Sequence, residues 1–165
     1  MIGLEWTIAR LAVNMNVFGF GPVRETETRF GRGTVGEFAL HIQCPWRLTG
    51  PRGLITGRVD LYEWGGQDSE PDEWSHEDGL SLQTARLNEV LGPRQGTERA
   101  HYFESGLFVE GVAMEILTGD LTLKLSRGLT IEVFVDGTAG EHWRLFTPDG
   151  DRPHLVIPAG DESDN

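Results

Sequence analysis

The chain contains a single cysteine, Cys44, and a single lysine, Lys124, among its 165 residues. One cysteine excludes an intramolecular disulfide and fits a reducing compartment. Basic residues are scarce altogether: 14 against 26 acidic ones, for a formal charge of −12. A field of that sign repels phosphate backbones and argues against direct binding to nucleic acid. No apolar run approaches the ~20 residues that a membrane helix needs. The opening MIGLEWTIARLAV places Glu5 early, with no basic region ahead of an apolar core, and so makes a poor secretory signal. The expectation is a cytoplasmic protein without a membrane partner.

Motifs for common chemistries are also missing. There is no G-x-S-x-G, no H-E-x-x-H, no phosphate-binding P-loop and no paired cysteine motif. GRGTVG, residues 31 to 36, does match G-x-G-x-x-G. A dinucleotide site needs that motif to open a helix, yet EFALHIQ follows it at period two, so a glycine-rich hairpin turn is expected. In the acidic run from Asp68, an EF-hand loop would need glycine at the sixth position and glutamate at the twelfth; Glu73 and Gly79 stand there instead. His41 and Cys44 are three apart, which brings two ligands to one side of a helix but to opposite sides of a strand. No metal, no cofactor and no catalytic set is expected, and an enzyme is the less favoured reading.

What is present is turn residues and strand patterning. Glycine numbers 22 and follows no fixed period, so the glycines read as turns of a β-rich fold. From Glu37 to Leu48 the even positions are Phe38, Leu40, Ile42, Cys44, Trp46 and Leu48, against a mostly polar odd set. That is one half-buried strand, at an edge or bulged at Pro45, which lacks an N–H. VNMNVFGF (13 to 20), VRETETRF (23 to 30) and LITGRVDLY (54 to 62) read as further strands. The segment from Leu4 to Val13 fits either a strand or a short helix.

Three alternating runs separated by Gly119-Asp120 and Arg127-Gly128 predict an antiparallel meander over about 108 to 135. HWRLF and HLVIP add two short strands. One helix is expected over 81 to 91, with Ser81 as N-cap, Leu80, Thr84, Leu87 and Leu91 on its apolar face, and Gly92-Pro93 as its stop. The fold class is α+β, predominantly antiparallel sheet, as a curled sheet or partly open barrel. Residues 1–160 form one domain, and 161–165 a frayed acidic tail.

Between Arg58 and Arg86 lie eight acids and no base. This acidic loop, with Trp64, Asp72, Glu73 and Trp74, is a candidate surface for a protein partner, because aromatic residues are enriched at such interfaces. A second candidate set is His41, Arg47, His142 and Arg144, on the polar faces of the two Trp-Arg-Leu segments, where arginine and histidine could hold an anionic ligand.

The stretches GEFALHIQCPWRL, GLTIEVFVDGTAGEHWRLF and PHLVIPAG resemble a group of uncharacterised proteins from high-GC bacteria. That resemblance implies a bacterial, cytoplasmic, single-domain protein and assigns no activity. The function expected is therefore non-catalytic: a small acidic binding protein whose partner is another protein, as an immunity-type inhibitor or an adaptor. The alternative is a small-anion-binding or enzymatic β-fold.

Overall fold

The computed structural model describes residues 1–28, 31–63, 81–97, 100–148 and 154–157. In chain order the first strands are β1 (Trp6–Ala12), β2 (Met15–Phe20), β3 (Arg24–Thr28) and β4 (Gly31–Val35). Then come β5 (Phe38–Ile42), β6 (Trp46–Gly50), β7 (Gly53–Gly57) and a 3-10 turn at Arg58–Tyr62. Helix α1 (Leu82–Leu91) is followed by β8 (Arg94–Thr97), β9 (Ala100–Phe103), β10 (Val109–Met114) and β11 (Leu121–Leu125). Strands β12 (Leu129–Val133), β13 (Trp143–Phe146) and β14 (Leu155–Ile157) complete the order.

These strands form two five-stranded antiparallel sheets and two hairpins. The first sheet runs β1-β2-β5-β13-β14 and the second β10-β11-β12-β6-β7, while β3-β4 and β8-β9 stand apart. The fold is thus α+β, dominated by open antiparallel sheet, with one helix among the described residues, packed on β7 and the 3-10 turn.

The long strand expected over Glu37–Leu48 is in fact two strands in different sheets, β5 and β6. The chain changes ladder at Gln43-Cys44-Pro45. The Gln43 N–H donates to the His142 carbonyl beside the first sheet, and the Pro45 carbonyl accepts from Phe134 N–H beyond β12. Pro45 has no N–H with which to continue the first ladder. The alternation survives the change: Leu40, Ile42, Cys44, Trp46 and Leu48 are all buried. One periodic pattern therefore serves two sheets facing one core.

Other expectations are corrected in the same way. GRGTVG is not a turn, because Gly31–Val35 is strand β4, paired with β3. The strand expected over 54 to 62 ends at Gly57, and the Thr56 hydroxyl donating to the Asp60 carboxylate at 2.8 Å braces the 3-10 turn that replaces it. The segment from Leu4 resolves as a strand. Hairpin β8-β9 was not foreseen.

The meander β10-β11-β12 has the expected order. Its second turn places Arg127 and Gly128 at φ of 61° and 70°. Helix α1 has the expected Ser81 cap, whose Oγ accepts from Thr84 N–H, and it stops at Gly92 with φ of 85°. Its buried face carries Gln83, Leu87 and Leu91, so Gln83 takes the place foreseen for Thr84.

The core between the sheets is aromatic and braced by polar bonds. Trp6 packs edge-on to Phe18 at 4.9 Å, and Phe18 edge-on to Trp46 at 5.1 Å. Each of the three described tryptophans spends its indole N–H internally: Trp6 on Ile8 O, Trp46 on Asn16 Oδ1 and Trp143 on Gly119 O. The two sheets are stitched at one corner. There Gly3 N–H donates to Val109 O, Val109 N–H to Leu4 O and Trp6 N–H to Leu107 O, all within 2.9 Å.

Candidate functional site

Next to that corner the two hairpins leave the sheets and enclose a cleft. Both depart after a Gly-Pro pair, Gly21-Pro22 behind β2 and Gly92-Pro93 behind α1, with Gly21 at φ of 88° and Gly92 at 85°. Positive φ suits glycine, and proline continues neither the ladder of β2 nor helix α1, so these pairs turn the chain outward. Strand β9 then packs against both β1 and β4. Two bonds fix that packing: the Arg10 guanidinium donates to the carbonyl and hydroxyl oxygens of Thr34, and the Thr34 hydroxyl donates to His101 O at 3.1 Å.

The resulting cleft has a volume of about 830 Å³, within the range of roughly 300–1,000 Å³ typical of small-molecule sites. Its walls include Leu4, Val23, Ala100, Tyr102, Phe103 and Phe108. Several polar groups on this lining are used within the fold, and Arg24, Tyr102 and Glu104 line it as well. The Thr7 hydroxyl donates to Gly21 O at 2.9 Å, and the Glu5 carboxylate accepts from Gly106 N–H at 2.7 Å. At the rim, Arg32 reaches Glu27 at 3.5 Å and Glu25 at 3.9 Å with all three side chains about three-quarters exposed. The charged lining residues Arg24, Glu25, Arg32 and Glu104 are exposed, and the apolar wall between them favours apolar surface.

The four residues expected to hold an anion lie away from this cleft and do not share one pocket. His41 on β5 and Arg144 on β13 are cross-strand neighbours on the outer face of the first sheet. Arg47 is in the second sheet, bonded through two nitrogens to the Glu132 carboxylate at 2.7 and 3.1 Å and resting 5.0 Å above the Phe134 ring. The bonds to Glu132 raise the Arg47 pKa, and the same bonds lower that of Glu132. Arg144 is likewise bonded to Glu141, which raises its pKa.

His41 packs edge-on to Phe146 at 4.7 Å, and Phe146 lies 4.8 Å from His154. Burial first, and the nearby Arg144 charge second, lower the His41 pKa, so its ring is neutral at neutral pH. His142 is buried, with Nδ1 3.4 Å from an Asp136 oxygen. The partner-surface residues Trp64, Asp72, Glu73 and Trp74 lie outside the described residues.

Cys44 and His41 do not converge, since Cys44 is in the core and His41 on the outer face of β5. Among the described residues no group of three or more histidine, cysteine, aspartate or glutamate side chains could hold a metal ion. Burial pushes the Cys44 thiol up to about 12. A raised thiol pKa favours the neutral form in the fold, so its contribution to stability is full below the unfolded value near 8.5 and is lost as pH rises towards about 12. At pH near 8, labelling of native Cys44 by a soluble disulfide reagent is expected to be on the order of a thousandfold slower than in urea-unfolded protein. Equal rates in the two states would contradict this placement.

No family model matches the chain, and comparisons with the curated proteins and with the solved structures return no match. Among the described residues no helix is long and apolar enough to cross a membrane.

Proposed function

We propose that the protein is a non-catalytic binding protein whose cleft takes a small, mainly apolar, uncharged molecule. The observation that carries this reading is the 830 Å³ space at the junction of β1 with the two hairpins, walled by aliphatic and aromatic side chains. Burial of apolar surface is its driving force, at about 25 cal/mol per Å² removed from water. The anion-binding alternative is weaker, because Arg47 and Arg144 are already neutralised by Glu132 and Glu141. A bacterial, cytoplasmic setting belongs to the same proposal, supported by the single buried thiol.

Titration with a neutral phenylnaphthylamine, whose fluorescence rises in apolar surroundings, tests it. Saturable binding at one site is expected. Ala100→Trp, which adds an indole to the cleft wall, is expected to weaken binding tenfold or more, on the order of 1.4 kcal/mol, at an unchanged melting temperature. Arg47→Ala and Arg144→Ala are expected to leave it unaltered. Absence of saturable binding, or equal binding by Ala100→Trp, would overturn the reading.

A further inference from the structure

A second surface on the molecule lies at the free edge of the second sheet. Strand β10 pairs with β11 on one side, and beyond Val109 its other side has no strand partner among the described residues. Glu115 N–H donates to Asp120 O, so in an antiparallel ladder the backbone groups of Ala113 also turn towards β11. Those of Val112 and Met114 therefore turn outward.

The side chains on this edge are apolar and poorly covered. Val112 and Met114 stand opposite the buried Leu123 and Leu121, at the rim of the core face, yet they are 40% and 39% exposed. Ile116 and Leu117, in the turn that follows, are 85% and 92% exposed. The opposite face of β10 carries the exposed Glu110 at the bulge, then Gly111, over which the Lys124 stem lies, and Ala113. Exposed edges in natural proteins are usually guarded by lysine, proline or very short length. Val109–Met114 runs for six residues with neither; its bulge between Val109 and Gly111 and the charge of Glu110 guard only its start, and Val112–Met114 carries no guard.

Charge decides between possible occupants. A second copy would bring one −12 chain against another, and its own Glu110 and Glu115 would add to the repulsion. The same field attracts a cation-bearing strand. We propose that the β10 edge receives an extended segment of another protein that alternates apolar and basic residues, added as a sixth strand to the sheet. Main-chain bonds to Val112 and Met114 would fix its register, apolar side chains would cover these two residues, and basic ones would approach Glu110 and Glu115. This surface involves no group of the proposed ligand cleft except Phe108 at its near end, and it does not depend on that proposal.

The test uses the full chain and a short capped peptide alternating lysine with valine, with a glutamate-for-lysine version as control. Saturable binding of the lysine peptide is expected, weakening tenfold or more as salt rises from about 0.05 to about 0.5 M, and no binding of the glutamate peptide. Val112→Pro removes an outward N–H, and Val112→Lys adds an edge guard without removing it. Each is expected to weaken binding at least tenfold while leaving the melting temperature and phenylnaphthylamine binding as in the unaltered chain. Val112→Lys is the arm that stands if the proline variant fails to fold. Undiminished binding by Val112→Lys would overturn the proposal as non-specific attraction of charge. So would the absence of peptide binding, or a dimer of the unaltered chain that persists at high salt and is lost in Val112→Lys, which would make the occupant a second copy.

Discussion

Asn16→Leu is expected to destabilise the fold by about 4 kcal/mol, because it strands two buried polar groups at once. Asn16 is 1% exposed and joins parts that are distant in sequence. Its Oδ1 accepts from the Trp46 indole N–H at 2.8 Å, and its Nδ2 donates to Gln83 Oε1 at 2.6 Å. Gln83, 2% exposed, passes its own N–H to the Gly57 carbonyl at 2.9 Å. One chain of bonds thereby ties β2 of the first sheet to β6 and β7 of the second and to helix α1. A leucine of similar size admits no replacement water, so the indole N–H and the Gln83 oxygen each lose a partner at about 1–3 kcal/mol. The check is urea denaturation, read in both Asn16→Leu and Gln83→Met and in the double variant. Because the two side chains share a bond, Asn16→Leu is expected to cost about 1–2 kcal/mol less in the Gln83→Met background. Strict additivity would show that the chain is not coupled.

Trp6→Ala is expected to cost about 4 kcal/mol, a large part of the stability of a typical domain. The side chain is fully buried, packs against Phe18 and Phe20, and donates to the carbonyl of Ile8. That bond spans the register shift in β1 between Trp6 and Ile8. The backbone N–H of Trp6 also stitches the two sheets at Leu107, and its neighbours Glu5 and Thr7 lie on the cleft. Loss of the indole should therefore lower the denaturation midpoint and weaken phenylnaphthylamine binding together, whereas Trp6→Phe should retain most of both. A stable Trp6→Ala variant with full binding would place the cleft elsewhere.

The sequence revealed the in-and-out pattern better than it revealed partnership. Alternation through Leu40, Ile42, Cys44, Trp46 and Leu48 placed these side chains inward correctly. A period of two is blind to which sheet an inward face belongs to, so the change of ladder at Pro45 was hidden. The meander and α1 were legible because their turns and caps are local: Gly119-Asp120, Arg127-Gly128, Ser81 and Gly92. Hairpin β8-β9 was not, because RQGT and AHYF are short and carry no repeated alternation.

The cleft was harder still. It is assembled from residues 3–7, 21–25, 32–34, 96–97 and 100–108, and ordinary side chains such as Leu4, Val23 and Ala100 become a site only when these segments meet. The two Gly-Pro pairs were visible as breaks, but where the chain goes after a break is a tertiary matter. The arginines that drew attention for chemistry, Arg47 and Arg144, find carboxylates on their own sheet faces, as surface arginines in a chain with 26 acids commonly do.

The most direct measurement is a two-dimensional amide NMR titration of the isotope-labelled chain with the neutral phenylnaphthylamine. The expected result is saturable shifts concentrated at Leu4, Thr7, Thr34, Ala100 and Tyr102, with Arg47, Glu132, His41 and Arg144 unmoved. Shifts centred on those four polar residues, or none that saturate, would contradict a ligand site between the hairpins.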